Sequence, residues 1–462
     1  VPCSNAPRPR TKPVYSPYER KPMSFERISN VLPGPKARAL IARDAEGVSP
    51  SYPRDYPFVM SHGRGCEVWD VDGNRFLDFA AGIAVCSTGH CHPKVVEAVK
   101  SAADDFLHIS SDYWHERMVG LAERLARHAP MKPAMSFICQ SGTEAVEGAL
   151  KLARYVTGRS RFIGFLGGFH GRTMGSLSFT SSKYTQQKGL FPGMPGVPHV
   201  PYPNPYRPLL AGADQGTAVL DYIRMLFERN VPASEVAAIL VEPIQGEGGY
   251  LVPPDSFLPG LRALCDQHGI LLICDEVQSG VGRTGRMFAC EHWGVEPDII
   301  CSAKGLGSGL PIGAVIARKS LMSQWQRGAH GNTYGGNPIT CAAASATLDL
   351  VDAEYRDNAS KVGAYFLAEL AKLQGEFPCI GDLRGKGLMI GMELVLGDES
   401  HTPAVKLCDA LINRAYYNGL LLLSCGVSTV RFMPPLCATN DDIDDAMARI
   451  RASLIEAMHA SA

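Results

Sequence analysis

The sequence has no surplus of charge of either sign and no long hydrophobic run. Its 462 residues include 45 lysines and arginines against 46 aspartates and glutamates, a net charge of −1. Without a basic surplus to hold phosphate backbones, a nucleic-acid-binding role is disfavoured. The longest apolar runs, such as ILLIC at 270–274 and LLLL at 420–423, are far shorter than the roughly 20 residues of a membrane-spanning helix. We therefore expect a soluble protein of small-molecule chemistry, with neither a nucleic acid nor a membrane as partner.

Paired cysteine motifs are also missing. The 14 cysteines occur singly without any C-x-x-C pair, and several of them, such as Cys139 and Cys274, lie within apolar segments. This pattern is typical of buried free thiols in a reducing compartment, and it predicts a cytoplasmic protein. GHCHP at 89–93 lacks a second group of metal ligands at a suitable spacing, so we expect a turn there and no metal site.

What the sequence does contain is a regular alternation of element types. Between 85 and 352, apolar strand-like runs alternate with helix-like segments, a pattern typical of a mostly parallel sheet covered by helices on both faces. Before this region, GCEVWDVDGNRFLDF predicts a hairpin with an Asp-Gly turn. The sequence therefore predicts an α/β fold with a large domain at 85–352 and a small α+β domain from both chain ends, at 23–84 and 353–462. The proline-rich and basic residues 1–22 are expected to form a disordered tail.

Polar residues follow several of the predicted strands, at the edge where open α/β sheets bind ligands. Ser141, Gly142 and Thr143 lie between a strand and a helix start, which suits a phosphate, although simple helix capping by Ser141 explains the same residues. Asp275 ends the run ILLICD and is either a turn residue or the partner of a cationic ring nitrogen. Glu242 ends another strand, and Glu247 follows in a glycine loop. Two surface charges are the simpler explanation for this acidic pair.

Two further segments supply an aromatic ring and an amine. GGFHGRTMGS places Phe169 in a glycine-rich loop, where a flat ring could stack on it, with Arg172 near by to receive a carboxylate. In DIICSAKGLGSGLP, Lys304 stands between a buried strand and a glycine-rich loop. It is either a solvated loop lysine or a partly desolvated amine whose lowered pKa suits attack on a carbonyl.

A phosphate cradle, a stacking ring, an anion and an amine together form the set that pyridoxal 5'-phosphate (PLP) requires. The motifs SGTEAVEGALK, FHGRT, EPIQGEGG, DEVQSGVGRTG, the Lys304 loop and NTYGGNP occur in one order, and they resemble those of the class III aminotransferases. This family of PLP-dependent enzymes includes the 4-aminobutyrate, ornithine and acetylornithine aminotransferases. The resemblance extends from about 64 to about 438, and it implies a PLP-dependent transferase of fold type I whose large domain binds the cofactor.

The resemblance also implies the roles of individual residues. Lys304 is expected to form the Schiff base with PLP and then to act as general base, while Asp275 keeps the pyridine nitrogen protonated. Gln278 is expected to contact the phenolic oxygen of the ring. Thr333 is expected to reach the phosphate of the neighbouring subunit, which implies a homodimer with shared active sites, or a tetramer built from it. The implied cofactor-binding residues are Ser141, Gly142, Thr143, Phe169, His170, Glu242, Asp275, Gln278, Lys304 and Thr333.

For substrate binding, the resemblance implies a switch. Glu247 is expected to mask Arg431 while an ω-amine is bound and to release it for an α-carboxylate, with Arg172 holding the distal carboxylate. The implied substrate-binding residues are Ile83, Arg172, Glu247 and Arg431. The implied reaction moves an amino group from an ω-amino acid or amine, similar to 4-aminobutyrate, to 2-oxoglutarate or pyruvate. A racemase or epimerase using the same lysine chemistry is the alternative, and a noncatalytic binding protein is disfavoured because every cofactor position is filled.

Overall fold

The computed structural model describes residues 25, 28, 31–397 and 400–461, so the predicted disordered tail at 1–22 lies outside the described residues. The helices are α1 Pro35–Gly47, α2 Ala81–Ala84, α3 Pro93–Asp105, α4 Glu116–His128, α5 Gly142–Thr157, α6 Met174–Leu177, α7 Gln215–Arg229, α8 Phe257–His268, α9 Lys319–Met322, α10 Pro338–Leu350, α11 Arg356–Glu376, α12 Val405–Tyr417 and α13 Asn440–Ser461. The strands are β1 Met60–Arg64, β2 Glu67–Asp70, β3 Arg75–Asp78, β4 Ala134–Cys139, β5 Arg161–Phe165, β6 His199–Val200, β7 Val236–Val241, β8 Leu271–Asp275, β9 Ile299–Ser302, β10 Gly313–Arg318, β11 Ile380–Lys386, β12 Met389–Leu394, β13 Leu420–Leu421, β14 Leu423–Cys425 and β15 Thr429–Phe432.

A seven-stranded sheet forms the centre of the structure, with the strand order β4-β10-β9-β8-β7-β5-β6. Strands β5 to β9 run parallel to one another, whereas β10 is antiparallel to both of its neighbours, β4 and β9. Every residue of β7 is buried, which explains its uninterrupted apolar sequence, because helices cover both faces of such a sheet. The predicted α/β fold with a large, mostly parallel sheet is confirmed.

Successive residues along each central strand belong to two different hydrophobic cores. In β8, Leu272 and Cys274 pack into one core and Ile273 into the other. Because neighbouring side chains of a strand point to opposite faces, the sheet is buried on both sides. Helix α5 packs its alanine-rich face, including Ala145 and Ala149, into the second of these cores. The start of this helix is thereby fixed at the carboxyl end of β4.

Two four-stranded sheets lie outside the central one, with the strand orders β1-β2-β3-β13 and β11-β12-β15-β14. The predicted Asp-Gly hairpin is confirmed: β2 and β3 are antiparallel, and Gly73 between them has a φ of 91°. Strand β13 pairs Leu420 with Leu77 of β3, so segments from both ends of the chain share one sheet. This pairing supports the predicted small domain, whose boundaries stay a prediction.

Two further features concern the described part of the chain as a whole. No helix within it combines the length and the apolar character that crossing a bilayer demands. Each cysteine within it carries a free thiol, and most of these thiols are buried.

Candidate active site

A cavity of about 280 Å³ opens at the carboxyl edge of the central sheet. Nine of the ten predicted cofactor-binding residues line it, and so does Arg172 from the predicted substrate set. Its walls are formed by Ser141, Gly142, Thr143, Phe169, His170, Gly171, Arg172, Glu242, Asp275, Val277, Gln278 and Lys304. A larger groove of about 790 Å³ beside α1 contains none of the predicted site residues. The parallel topology thus brings together side chains that are far apart in the sequence.

Lys304 is the first residue after the end of β9 that lines the cavity. It begins a short 3-10 turn and has a φ of 40°, a conformation that residues other than glycine rarely adopt. The loop that follows Lys304 is held by a segment distant in the sequence, because Thr88 N donates a hydrogen bond of 2.9 Å to Ser308 Oγ. Withdrawal from bulk water lowers the pKa of the Lys304 amine, although Glu247 and Asp275 oppose the shift. A lysine with a lowered pKa is a better nucleophile near neutral pH.

Asp275 ends β8 with both carboxylate oxygens engaged. Its Oδ1 accepts a hydrogen bond of 3.0 Å from Val277 N, and its Oδ2 lies 2.7 Å from His170 Nδ1. Both members of this pair are almost completely buried. Burial alone would lower the pKa of His170, but Asp275 outweighs it and raises the pKa above its ordinary value. The carboxylate is therefore held in one orientation at the cavity wall.

The start of α5 forms the second wall of the cavity. Ser141 caps the helix, since its Oγ accepts a hydrogen bond of 3.3 Å from Glu144 N. Thr143 Oγ1 lies 2.7 Å from Ser176 Oγ, so the loop after β5 packs against the helix start. Ser141 therefore caps the helix as predicted. The first N–H groups of this 16-residue helix lie at the same place. Such N–H groups and the helix dipole attract an anion such as a phosphate.

Glu242 at the end of β7 holds two loops in place. Its Oε1 accepts a hydrogen bond of 3.0 Å from Phe169 N, and its Oε2 accepts one of 2.8 Å from Gly246 N. Burial raises the pKa of this carboxyl to about 7. The ring of Phe169 lies 5.6 Å from the guanidinium carbon of Arg172, which is exposed. Glu242 thereby fixes the backbone on which the predicted stacking ring stands.

Glu247 and Arg431, the predicted switch pair, form an ion pair in the structure. Their side chains retain 13% and 5% of their exposure, so the pair is nearly withdrawn from water. Burial alone would raise the pKa of Glu247, but the adjacent guanidinium of Arg431 outweighs it and holds the pKa below its ordinary value. Both groups also act electrostatically on Lys304. The ion pair therefore lies within electrostatic range of the cavity amine.

Besides the ion pair of Glu247 and Arg431, two further predicted residues, Thr333 and Ile83, are not among those that line the cavity. Thr333 is exposed on the surface of the chain. Ile83 retains 40% of its exposure and has a φ of 66° within the irregular segment α2. Their assignments to the cofactor and the substrate stay predictions.

One contact of the site was missed by sequence reasoning. Tyr250 is completely buried, and its hydroxyl donates a hydrogen bond of 2.7 Å to Gln278 Oε1. The only available signal was an aromatic residue with a polar tip directly after the glycines of QGEGG. Such residues usually find a hydrogen-bond partner when they are buried.

The groups around the cavity fit PLP in chemistry. A helix N-terminus suits the phosphate, the buried carboxylate of Asp275 suits the pyridinium nitrogen, and the amine of Lys304 suits the aldehyde. Metal chemistry has no comparable support: within the described ranges, no group of three histidine, cysteine, aspartate or glutamate side chains is arranged to hold a metal ion.

Comparisons with known proteins agree with this chemistry. The family Aminotransferase class-III matches residues 49–454. An alanine/serine racemase from Pyrococcus horikoshii is 38% identical over 94% of this chain and 93% of its own. A 5-aminovalerate aminotransferase, DavT, from Pseudomonas aeruginosa is 39% identical over 89% of this chain and 96% of its own. An acetylornithine aminotransferase from Methanopyrus kandleri is 41% identical over 86% and 95%.

Solved structures share the fold over nearly the whole chain. The PLP-bound crystal structure of an amine transaminase from an uncultivated Pseudomonas species superimposes with a TM-score of 0.82. It is 33% identical in sequence and covers 89% of this chain and 98% of its own. The predicted family, fold type and cofactor are thus confirmed. The chain belongs to the class III aminotransferases, PLP-dependent enzymes of fold type I.

Proposed function

We propose that this aminotransferase moves an amino group from an ω-amino acid, similar to 4-aminobutyrate, to 2-oxoglutarate or pyruvate. The observation that carries the proposal is the buried ion pair of Glu247 with Arg431 beside the cavity. A donor whose amine is on a terminal carbon presents no α-carboxylate to Arg431, so the ion pair can stay closed. An α-keto acid presents one, and Arg431 is then available to bind it in place of Glu247. The similarity to a 5-aminovalerate aminotransferase supports the same class of donor.

Lys304 has two tasks in this proposal. Its lowered pKa makes a neutral amine available to hold the cofactor covalently through its aldehyde carbon. Once released from the cofactor, Lys304 Nζ would be the base that moves the proton from the substrate carbon that bears the amine. PLP, when bound, supplies an electron sink that acidifies the proton on this carbon.

The remaining cavity residues bind and orient the cofactor. Asp275, held by His170, keeps the pyridine nitrogen protonated by placing a negative charge beside it. Ser141 with the N–H groups of Gly142 and Thr143 binds the phosphate. These three residues start a helix that is fixed by its core packing, so the phosphate has a rigid anchor.

The ring and the substrate are held from the Phe169 side of the cavity. Phe169 stacks on the cofactor ring, and its backbone position depends on Glu242. Arg172 is exposed at the same loop and lines the cavity, where it binds the distal carboxylate of the substrate. Ile83 contributes an apolar contact to the substrate.

We also propose that the enzyme is a cytoplasmic homodimer, or a tetramer formed by two such dimers, with Thr333 contacting the phosphate bound in the partner subunit. A group of apolar side chains lies exposed near Thr333, which supports an interface there. Tyr334 retains 62% of its exposure, and its ring stands 5.4 Å from that of His108. Leu107 and Trp114 in the same region retain 70% and 91%. The free thiols of the chain suit a reducing compartment.

A panel of donors and acceptors tests the reaction. We expect 4-aminobutyrate and 5-aminovalerate to yield glutamate from 2-oxoglutarate or alanine from pyruvate, detected by chromatography. Activity with α-amino acid donors alone would contradict the ω-amino acid assignment.

Racemisation is the second candidate, because an alanine/serine racemase is among the relatives. In that reaction Cα is reprotonated instead of C4', and no amino acceptor is needed. Incubation of the enzyme with L-alanine or L-serine and no keto acid, followed by chiral chromatography, separates the two reactions. Accumulation of the D-enantiomer without any keto acid would favour the racemase.

A further inference from the structure

Tyr250 occupies a backbone conformation that a tyrosine rarely adopts. It lies between β7 and α8, directly after Gly248 and Gly249, and has a φ of 54°. A bulky residue in the left-handed region is strained, and such strain persists where the surrounding structure holds the side chain in one place. The side chain here is completely buried among Ala84, Met433 and other apolar residues.

The hydroxyl of Tyr250 has two possible acceptors and only one hydrogen to donate. Gln278 Oε1 lies 2.7 Å away, and Met433 Sδ lies 3.0 Å away. A carboxamide oxygen accepts more strongly than a thioether sulfur, so the hydrogen goes to Gln278. Burial raises the pKa of the Tyr250 phenol, which keeps it neutral and able to donate.

The other end of the same amide is confined by a glycine. A Cβ at Gly246 would lie 2.5 Å from Gln278 Nε2, so only a glycine allows the amide to occupy this position. Gly246 is itself fixed by the hydrogen bond from its N–H to Glu242. Gln278 lines the cavity, and with its oxygen engaged by Tyr250 its NH₂ group is the part of the amide that is left to contact a ligand there.

We propose that Tyr250 is a positioning residue that fixes the amide of Gln278 with its NH₂ group toward the phenolic oxygen of PLP. The inference rests on the proposed function, which assigns Gln278 to that oxygen. A phenolate oxygen only accepts hydrogen bonds, so a reversed amide would place two acceptors together. Within the protein itself, the hydrogen bond from the Tyr250 hydroxyl is the contact described above that selects this orientation of the amide before the cofactor binds.

The bound cofactor reports this orientation through its absorption. A donor to the phenolic oxygen stabilises the negative charge there, and it therefore lowers the pKa of the proton that the cofactor shares with the Lys304 nitrogen. We expect Tyr250→Phe to move the absorption titration of the resting enzyme upward by about one pH unit, the size expected for losing one hydrogen bond to a charged group. No shift would overturn the proposal.

Tyr416→Phe is the matched control. Tyr416 is also buried, and its hydroxyl donates a hydrogen bond of 3.1 Å to Pro57 O, away from the cavity residues. We expect this variant to lower thermal stability as much as Tyr250→Phe and to leave the absorption titration unchanged. An equal spectral shift in both variants would mean that general loosening of the fold causes it.

Gln278→Ala separates failure of this inference from failure of the proposed function. If Gln278 contacts the phenolic oxygen, this variant alone raises the titration midpoint, and adding Tyr250→Phe shifts it no further. No shift in Gln278→Ala would refute the role of Gln278 itself. A shift in Gln278→Ala but not in Tyr250→Phe would refute only the positioning role of Tyr250.

Met433→Leu provides a test that keeps the tyrosine. We expect an unchanged midpoint, because the hydroxyl already donates to Gln278. A shift as large as that of Gln278→Ala would show that the hydroxyl depends on the sulfur, and the proposal would be wrong.

Discussion

Truncation of Arg431 is expected to damage the two half-reactions unequally. Arg431→Ala removes a side chain that retains only 5% of its exposure, and it leaves the carboxylate of Glu247 buried without its partner. Loss of one member of such a pair costs roughly 2 to 5 kcal/mol, or about 30-fold to 5,000-fold in rate constant. We expect a loss of this size with glutamate, whose α-carboxylate needs the arginine. An ω-amine donor without an α-carboxylate should lose much less.

Single-turnover absorption measurements of each half-reaction provide the assay. Glu247→Ala is the complementary variant, since it leaves Arg431 unmasked and should impair the ω-amine half-reaction more than the glutamate one. Arg262→Ala is the control, because Arg262 pairs with Asp298 at the opposite end of β9 from Lys304. It should reduce thermal stability without separating the two half-reactions. Equal losses in both half-reactions for Arg431→Ala would refute the switch and leave the ion pair a purely structural contact.

Three further predictions concern the cofactor residues. Lys304→Ala should retain PLP only noncovalently and lose turnover by roughly 10³-fold or more. Borohydride reduction of the native enzyme, followed by peptide mapping, should label Lys304. A label on any other lysine would contradict the assignment. Asp275→Asn should bind PLP yet lose the half-reaction with any donor, because the ring nitrogen loses its anionic partner; near-native single-turnover rates would show that this role is wrong. Glu242→Gln should flatten the pH dependence of stability of the cofactor-free enzyme. The folded Glu242 carboxyl, with its pKa raised from 4.5 to about 7, binds more protons than the unfolded one, so stability should fall by roughly 3 kcal/mol as the pH rises through that interval. Chemical denaturation at pH 4.5 and pH 7 measures the difference between native enzyme and variant.

The sequence was sufficient to predict those residues of the site that lie at the ends of parallel strands. Asp275 and Lys304 each come directly after, or shortly after, an apolar run that pairs in the central sheet. The carboxyl ends of parallel strands meet at one edge of the sheet, so the residues that follow these strands are expected to share a cavity. The family resemblance supplied the roles, including the Glu247 and Arg431 pair that the structure brings together.

Contacts made by loops were not predictable in the same way. His170 meets Asp275 across 105 residues of sequence, and Tyr250, which meets Gln278, has a positive φ. Neither hydrophobic periodicity nor turn propensity reports such a conformation, since both describe local preference and not the long-range packing that overrides it. Thr333 is exposed, and its contact with the phosphate in a partner subunit stays a prediction, because a single chain contains no such contact.

Strand β10 sets the distance between the turn at Ser141 and the Lys304 loop. Its Gly313 pairs with Cys139, two residues before Ser141, and its Ala314 pairs with Ser302, two residues before Lys304. The turn at Ser141 and the Lys304 loop are thus separated by two strand spacings, roughly 10 Å, whatever the flanking helices do. A Cβ at Gly313 would lie 2.5 Å from Ser141 O. A single methyl group there would therefore force either strand β10 or the turn at Ser141 to move, which makes Gly313 a position where the span between this turn and the Lys304 loop can be altered.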